Sequence, residues 1–298
     1  MVVARTFIPV PACSAEMITG AAQTNADVIM LDLEDMTPVP MKVKARDVLR
    51  NNLGAAALGR PAVYVRPNGW ETGMTNDDLD ATIDKGVDGV VVAKLSGPED
   101  VIRMDWKLEE IEQRKGLEAG SIQMQLMIEN AKAMMNVYEV ATASKRVNAI
   151  VFGNMDYFAD MKVRANPAVL EEDRNWARAR VACAARAAGV VAIDGPYFGP
   201  PEGFKENTLY GRQLGHEGRV LADPSLIDLC NSLYTPSPEQ MEWARGVSKL
   251  YEAESIGKGL LGLTYKGEPI FEPMYSIAQK YLETMAKIEA WEQERSKK

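Results

Sequence analysis

Residues 27–33 read DVIMLDL, an apolar run of the length of one strand, and this run decides the fold. Comparable runs recur along the chain at 5–10, 61–66, 88–94, 121–128, 147–152, 189–193 and, more faintly, 218–222. Strands that are apolar on both faces are typical of parallel sheets, which helices cover on both sides. The eight runs therefore predict a parallel sheet.

Longer stretches with a helical pattern separate these runs, among them 40–52, 98–115, 130–143 and 170–187. Eight alternations of strand and helix predict a closed (β/α)8 TIM barrel, and an open doubly wound sheet is the alternative because the eighth run is faint. We expect the barrel to occupy residues 1–235. Residues 236–298 then form a C-terminal helical extension and lid, with the glycine-rich stretch GKGLLGLTYKGEP at 257–269.

Composition excludes several classes of function. The 298 residues carry a formal net charge of −8 with no basic stripe, which argues against nucleic acid as a partner. No apolar run approaches the ~20 residues of a membrane span, and the first residues lack a secretory pattern, so we expect a cytoplasmic protein without membrane contact. One histidine and three widely spaced cysteines exclude multi-histidine metal sites and disfavour zinc clusters.

The predicted strands end in polar side chains, and barrel enzymes carry their working groups at these carboxyl ends. These residues are Asp32, Glu34, Asp35, Arg66, Lys94, Glu129, Asp156 and Asp194. Glu129 and Asp156 follow adjacent strands, so their carboxylates should converge at the barrel mouth. Two oxygen ligands with open water positions suit Mg²⁺ or Mn²⁺. Arg66 offers a planar fork for a substrate carboxylate.

Each of these residues also has a structural interpretation. A single strand-end carboxylate can cap a helix or join a surface ion pair. We assign Lys94 and Asp194 structural roles on this ground. Asp32, Glu34 and Asp35 crowd like charges together, which is unfavourable without cations, so we expect them either to support the metal ligands without touching the metal or to pair with a lysine.

The order of the strand ends resembles one known family. The shared segments are RTFIPVP at 5–11, DVIMLDLED at 27–35, VRPN at 65–68, VVAK at 91–94, MIEN at 127–130, FGNMD at 152–156 and AIDG at 192–195. Together they resemble the citrate lyase β-subunit-like group of the HpcH/HpaI aldolase superfamily, which includes malyl-CoA and citramalyl-CoA lyases. The resemblance runs from about residue 5 to residue 280.

This resemblance implies a role for each matching residue. Glu129 and Asp156 would bind Mg²⁺, and Arg66 would hold the carboxyl or oxo group of the substrate. Gly153 and Asn154 are assigned to substrate binding. The resemblance further implies a homotrimer or homohexamer that cleaves a 3-hydroxyacyl-CoA thioester, such as malyl-CoA or citramalyl-CoA.

Three departures from the family pattern keep other functions open. One is the segment usually written G-K-x-x-I-H-P, which reads GRVLADP at 218–224. The early loop ACSAE at 12–16 lacks the basic residues that face CoA phosphates in the family, and Gly20 stands where a lysine is expected. A C-terminal I-D-x-P segment reads Ile270-Phe271-Glu272-Pro273, so phenylalanine replaces the family's catalytic aspartate. Glu272 is the candidate substitute acid.

Four functions therefore remain as hypotheses. The first is a metal-dependent lyase on a CoA thioester, and the second is a metal-dependent aldolase on a CoA-free hydroxy-oxo acid. A CoA-thioester hydrolase using the same site is the third. The fourth, a non-catalytic protein that binds an acidic metabolite or a partner, is disfavoured because Arg66, Glu129 and Asp156 are all present.

Overall fold

A closed barrel of eight parallel strands forms the first part of the chain, so the predicted (β/α)8 barrel is confirmed and the open sheet is wrong. The computed structural model describes residues 3–162 and 171–297. The barrel strands are β1 Thr6–Pro11, β2 Val28–Asp32, β3 Ala62–Arg66, β4 Gly89–Val92, β5 Gln123–Ile128, β6 Val147–Phe152, β7 Val191–Asp194 and β8 Gly218–Val220. The faint eighth run pairs with both β7 and β1, and this closes the barrel.

Helices follow the strands along the chain. They are α1 Ala15–Ala22, α2 Lys42–Ala57, α3 Thr75–Thr82, α4 Pro98–Lys115, α5 Ala131–Met135, α6 Val137–Ala141, α7 Asn154–Asp160, α8 Glu171–Ala188, α9 Phe204–Leu214 and α10 Ile227–Tyr234. Residue 170, the predicted start of the helix now seen as α8, lies outside the described residues.

The single helix predicted over 130–143 is wrong, because two short helices occupy this stretch. Asn136 separates them with a φ of −106° and a ψ of 21°, outside the helical region. Its backbone N–H donates to the carbonyl oxygens of both Lys132 and Ala133, a shared hydrogen bond that is common at helix ends. Helix α5 ends before Asn136, and α6 begins directly after it.

Register brings particular strand ends side by side. Asp32 at the end of β2 pairs with Arg66 at the end of β3. Ile128 at the end of β5 pairs with Phe152 at the end of β6, so the residues that follow each of them also become neighbours. All five residues of β2 and all five of β3 are buried, which explains why the runs read as continuously apolar up to their charged ends.

The chain divides into two compact units, residues 1–231 and 232–297. Within the second unit, α11 Pro238–Leu250 and α12 Glu272–Arg295 flank an antiparallel hairpin of β9 Thr264–Tyr265 and β10 Glu268–Pro269. Ala244, Val247, Ile270 and Ala278 form its core, and Tyr265 packs against them. The glycine-rich stretch therefore contains an ordered hairpin, whereas its action as a lid and the domain division at 235/236 stay predictions.

None of the helices in the described residues combines the length and apolar character that crossing a bilayer requires. The expected cytoplasmic location stays a prediction.

Candidate active site

Glu129 lies directly after β5 at the bottom of the barrel mouth, with its side chain only 1% exposed. Its Oε1 accepts a hydrogen bond of 2.5 Å from the backbone N–H of Lys94, while its Oε2 accepts none within the described residues. A Cβ at Gly153 would lie 2.6 Å from the Glu129 Cβ, so only glycine leaves room for this carboxylate. Burial raises the pKa of Glu129 to about 7.

Four carboxylates surround the ammonium group of Lys94. Its Nζ lies 3.0 Å from Asp156 Oδ2, 3.2 Å from Asp35 Oδ2, 3.6 Å from Glu34 Oε1 and 3.8 Å from Glu129 Oε1. Burial opposes it, but the negative charges of Glu129 and Glu34 raise the pKa of Lys94 above its usual value. Glu129 and Asp156 therefore both lie near the Lys94 ammonium, together with Glu34 and Asp35, and their binding of a metal stays a prediction.

The sequence predicts a structural role for Lys94 and does not reveal its central position among these carboxylates. The available signal was its place at the end of a strand, beside the carboxylates of the neighbouring strands. What the sequence could not show is its left-handed backbone, with a φ of 52°. This conformation is uncommon for a residue with a side chain.

Arg66 is held by Asp32 rather than standing free at the mouth. Its Nε donates to Asp32 Oδ1 at 2.8 Å and its Nη2 donates to Asp32 Oδ2. Its Nη1 lies 3.2 Å from Glu34 Oε2, 3.7 Å from Asp35 Oδ2 and 3.6 Å from the sulfur of Met127. Asp32 therefore occupies Nε and Nη2, and Nη1 faces Glu34, so the contact of Arg66 with a substrate stays a prediction.

Asp32 also fixes the loop that carries Glu34. Its two carboxylate oxygens accept hydrogen bonds from the backbone N–H groups of Glu34 at 2.7 Å and Met36 at 3.0 Å. Lys42 Nζ donates to the carbonyl oxygens of Leu33 at 3.1 Å and Glu34 at 2.9 Å. Burial raises the pKa of Glu34 to about 7, against the pull of the nearby cations. The expected role of Glu34 in supporting the metal ligands stays a prediction.

Asn154 begins α7, two residues before Asp156. Its Nδ2 donates to the carbonyl oxygen of Pro196 at 2.9 Å, and its Oδ1 is buried and accepts no hydrogen bond within the described residues. Asp156 is 45% exposed and stands at the solvent side of the site. The buried amide oxygen of Asn154 can accept a hydrogen bond from a ligand, whereas Gly153 contributes space. Their roles in substrate binding stay predictions.

Asp194 lies apart from these groups in a buried ion network. Its Oδ1 accepts from Arg178 Nε at 3.1 Å, and its Oδ2 accepts from Arg219 Nη2 at 2.8 Å. Although burial opposes it, the charges of Arg219, His216 and Arg178 hold the pKa of Asp194 below its usual range. This geometry fits the structural role expected from the sequence.

Glu272 and its neighbour Phe271 belong to the second unit. Phe271 precedes α12 and is 57% exposed. Glu272 is the first residue of α12, is exposed, and accepts a hydrogen bond of 2.9 Å from Ser276 Oγ. The catalytic role of Glu272 stays a prediction.

Charge and donor chemistry at the mouth fit a divalent cation. In the described residues no group of three or more histidine, cysteine, aspartate or glutamate residues has the spacing of a complete metal site. Any ion here would therefore need water or substrate ligands, which Mg²⁺ commonly retains. The seven charged side chains of this group have a formal net charge of −3. The carboxylates are those of Asp32, Glu34, Asp35, Glu129 and Asp156, and the cations are Arg66 and Lys94. The Oε2 of Glu129 is a hard oxygen that accepts no hydrogen bond within the described residues, and its role as a metal ligand stays a prediction.

Sequence comparison matches residues 5–224 to the model of the HpcH/HpaI aldolase/citrate lyase family. The chain is 33% identical over 282 residues to the citrate lyase subunit beta of Haemophilus influenzae, covering 94% of this chain and 96% of that protein. It is 29% identical over 289 residues to a (3S)-malyl-CoA thioesterase of Cereibacter sphaeroides, covering 96% and 95%. Both similarities extend over the barrel and the second unit.

Solved structures share the fold. A citrate lyase from Burkholderia xenovorans gives a TM-score of 0.81 at 17% identity, covering 97% of this chain and 92% of that one. The CitE protein of Mycobacterium tuberculosis, in complex with magnesium, acetoacetate and coenzyme A, gives 0.72 at 22% identity, covering 94% and 97%. At these identities the likeness establishes the fold alone.

Proposed function

The chain belongs to the HpcH/HpaI aldolase/citrate lyase family of metal-dependent lyases, and from this membership we propose that it cleaves a carbon–carbon bond in a 3-hydroxyacyl-CoA thioester. Malyl-CoA and citramalyl-CoA are the proposed substrates. The observation that carries the proposal is the convergence of Glu129 and Asp156 on one cation position beside Arg66.

Glu129 and Asp156 would hold the Mg²⁺ ion, with Mn²⁺ as the alternative. When bound, Mg²⁺ supplies a Lewis acid that polarises substrate oxygens. Arg66 Nη1 would orient the carboxyl group of the oxo-acid fragment in place of its present neighbour Glu34, because Nε and Nη2 are engaged by Asp32. We assign Asn154 to a hydrogen bond with the substrate hydroxyl, because its buried amide oxygen accepts no hydrogen bond within the described residues.

Cleavage requires two proton movements around the breaking bond. The substrate hydroxyl gives its proton to a water molecule, the bond between the hydroxyl-bearing carbon and the thioester α-carbon breaks, and the electron pair passes to the α-carbon as an enolate. The α-carbon then receives a proton, for which we assign Glu272 as the donor. The products are an oxo acid, glyoxylate or pyruvate, and acetyl-CoA.

The test is an incubation of the purified protein with malyl-CoA or citramalyl-CoA, with Mg²⁺ and with EDTA in parallel. We expect equal amounts of oxo acid and acetyl-CoA with Mg²⁺ and none with EDTA, measured by hydrazone formation and mass spectrometry. Full activity after complete metal removal would reject the metal-dependent assignment. Failure to form oxo acid from either thioester would reject the proposed substrates.

Hydrolysis of the thioester is a second candidate, favoured by the similarity to the (3S)-malyl-CoA thioesterase over almost the whole chain. Hydrolysis of malyl-CoA consumes water and releases malate and free CoA. A thiol assay separates the two reactions, because the lyase reaction leaves the thioester intact.

The CoA-free aldolase is a further candidate, favoured by the missing basic residues at 12–16 and at Gly20. Incubation of the protein with a 4-hydroxy-2-oxo acid as the substrate tests this candidate.

A further inference from the structure

Lys94 occupies an unusual position for an ammonium group. In the described part of the chain it is the one cation that pairs with both Glu129 and Asp156, the proposed metal ligands. It also pairs with Glu34 and Asp35 on the opposite side. The protein thus provides a positive charge of its own at the place where its carboxylates converge.

A divalent ion and this ammonium would lie close together. A metal bound to Asp156 Oδ2 at about 2.1 Å would be within roughly 5 Å of Lys94 Nζ, because Nζ lies 3.0 Å from that oxygen. Like charges at this separation repel, and the repulsion is strong where burial excludes water. The same carboxylates therefore cannot bind a divalent ion at full strength while they remain paired with the Lys94 ammonium.

The side chain of Lys94 has room to leave. It is 24% exposed, and its partners on the solvent side, Asp35 and Asp156, are about half exposed. Its backbone N–H donates to Glu129 Oε1, so the main chain can remain in place while the long side chain swings outward. A flexible four-carbon stem makes such a movement inexpensive compared with moving a strand end.

The geometry points to Lys94 as a built-in counter-ion of the metal site. It holds the four carboxylates together when no divalent ion is bound, and displacing its ammonium sets the affinity for the ion. The inference rests on the proposed function in one respect, that Glu129 and Asp156 bind metal. Lys94 is accordingly a positioning residue, and the direction of its effect on metal affinity distinguishes it from a merely structural lysine.

The experiment compares Lys94→Met with the parent protein. Metal affinity is measured by titration calorimetry with Mg²⁺ or Mn²⁺ alone, and the melting temperature is measured in EDTA. We expect Lys94→Met to bind metal at least about 10-fold more tightly, because the competing charge is gone. Its melting temperature in EDTA should fall, because the carboxylates then repel one another.

Two further variants complete the design. Lys94→Arg keeps the charge and should restore both properties towards the parent values. Lys85→Met removes an exposed lysine before β4, at the opposite end of the barrel, and should change neither. Should Lys94→Met fail to fold without metal, Lys94→Gln is measured in the same way.

Metal binding by Lys94→Met that is equal to or weaker than that of the parent would overturn the inference, as would an unchanged melting temperature in EDTA. If the parent itself binds no divalent ion, the metal site of the proposed function fails, and the inference fails with it. A parent that binds metal combined with a variant that binds no more tightly leaves the proposed function standing and rejects only the role of Lys94.

Discussion

Asp32 and Arg66 face each other in register at the ends of β2 and β3, and Arg66 Nε donates to Asp32 Oδ1 at 2.8 Å. Both side chains are buried, so the pair is shielded from water. Asp32 also accepts backbone hydrogen bonds from the loop that carries Glu34 and Asp35. One carboxylate therefore positions both the candidate substrate arginine and the carboxylates behind the candidate metal ligands.

Asp32→Asn should destabilise the protein by about 3–5 kcal/mol, because it removes the buried carboxylate that accepts from both Nε and Nη2 of Arg66. Urea denaturation measures the change in the free energy of unfolding. Asp47→Asn is the matched control, since Asp47 pairs with Arg50 on the exposed face of α2. An exposed pair contributes about 1 kcal/mol or less. Equal costs for the two variants would contradict the importance we give to the buried pair.

Arg66→Lys should lower kcat/KM by about 100-fold, the usual effect of misplacing a binding group. Lysine keeps the charge, but it cannot donate two parallel hydrogen bonds to Asp32 while also presenting a third donor to the site. Steady-state kinetics with the substrate that responds in the lyase assay measure the change. A lysine variant with parental kinetics would show that the guanidinium geometry has no part in catalysis.

The sequence predicts the barrel because each strand is buried on both faces and reads as apolar up to its charged end. It also predicts that Glu129 and Asp156 converge, since neighbouring parallel strands end at the same edge. The Asp32–Arg66 pair was not predicted, because an in-register contact between adjacent strands depends on side-chain direction. The central place of Lys94 depends on a left-handed backbone, which no local pattern indicated.

Glu129→Gln and Asp156→Asn should each weaken Mg²⁺ binding by at least about 10-fold, because each removes one charged oxygen ligand. Calorimetric titration with Mg²⁺ measures the affinity. A thermal shift with Mg²⁺ and oxalate gives a second reading, since a ligand that binds the folded state raises the melting temperature. Glu139→Gln, at an exposed position of α6, is the control. Parental affinity in both site variants would reject the metal assignment.

Asp194→Asn should destabilise the barrel by about 3–5 kcal/mol at neutral pH, because Arg178 and Arg219 lose their shared buried partner. The native pKa of Asp194 is lowered, so its stabilisation is present above the unfolded pKa of about 3.9. This stabilisation is lost as the pH falls through the native value. Denaturation at several pH values should show a shallower acid decline in the variant, and parallel declines would contradict the prediction.

Glu272→Gln tests the proposed proton donor in the second unit. If Glu272 supplies the proton, the variant should lose about 100-fold in kcat, the usual contribution of a general acid. The structural alternative is that Glu272 only stabilises the first turn of α12, where a negative charge contributes about 0.3–1 kcal/mol. That role predicts a small fall in the free energy of unfolding with a parental kcat. Glu283→Gln, an exposed position within the same helix, is the control for the loss of charge.

Phe271→Asp supplies the complementary test, because it places a carboxylate where the resemblance predicts the family's acid. Phe271 is the residue before α12 and has an extended backbone, with a φ of −123° and a ψ of 167°. Aspartate is a preferred residue at such a position and should stabilise the helix by about 1 kcal/mol, so loss of the fold is not expected. In the Glu272→Gln background, Phe271→Asp should recover cleavage of the CoA thioester if the reaction needs an acid there. If the double variant is as slow as Glu272→Gln although its helix is stabilised, the result would argue for the CoA-free aldolase. In that reaction Phe271 would instead form an apolar wall over a small substrate and exclude water.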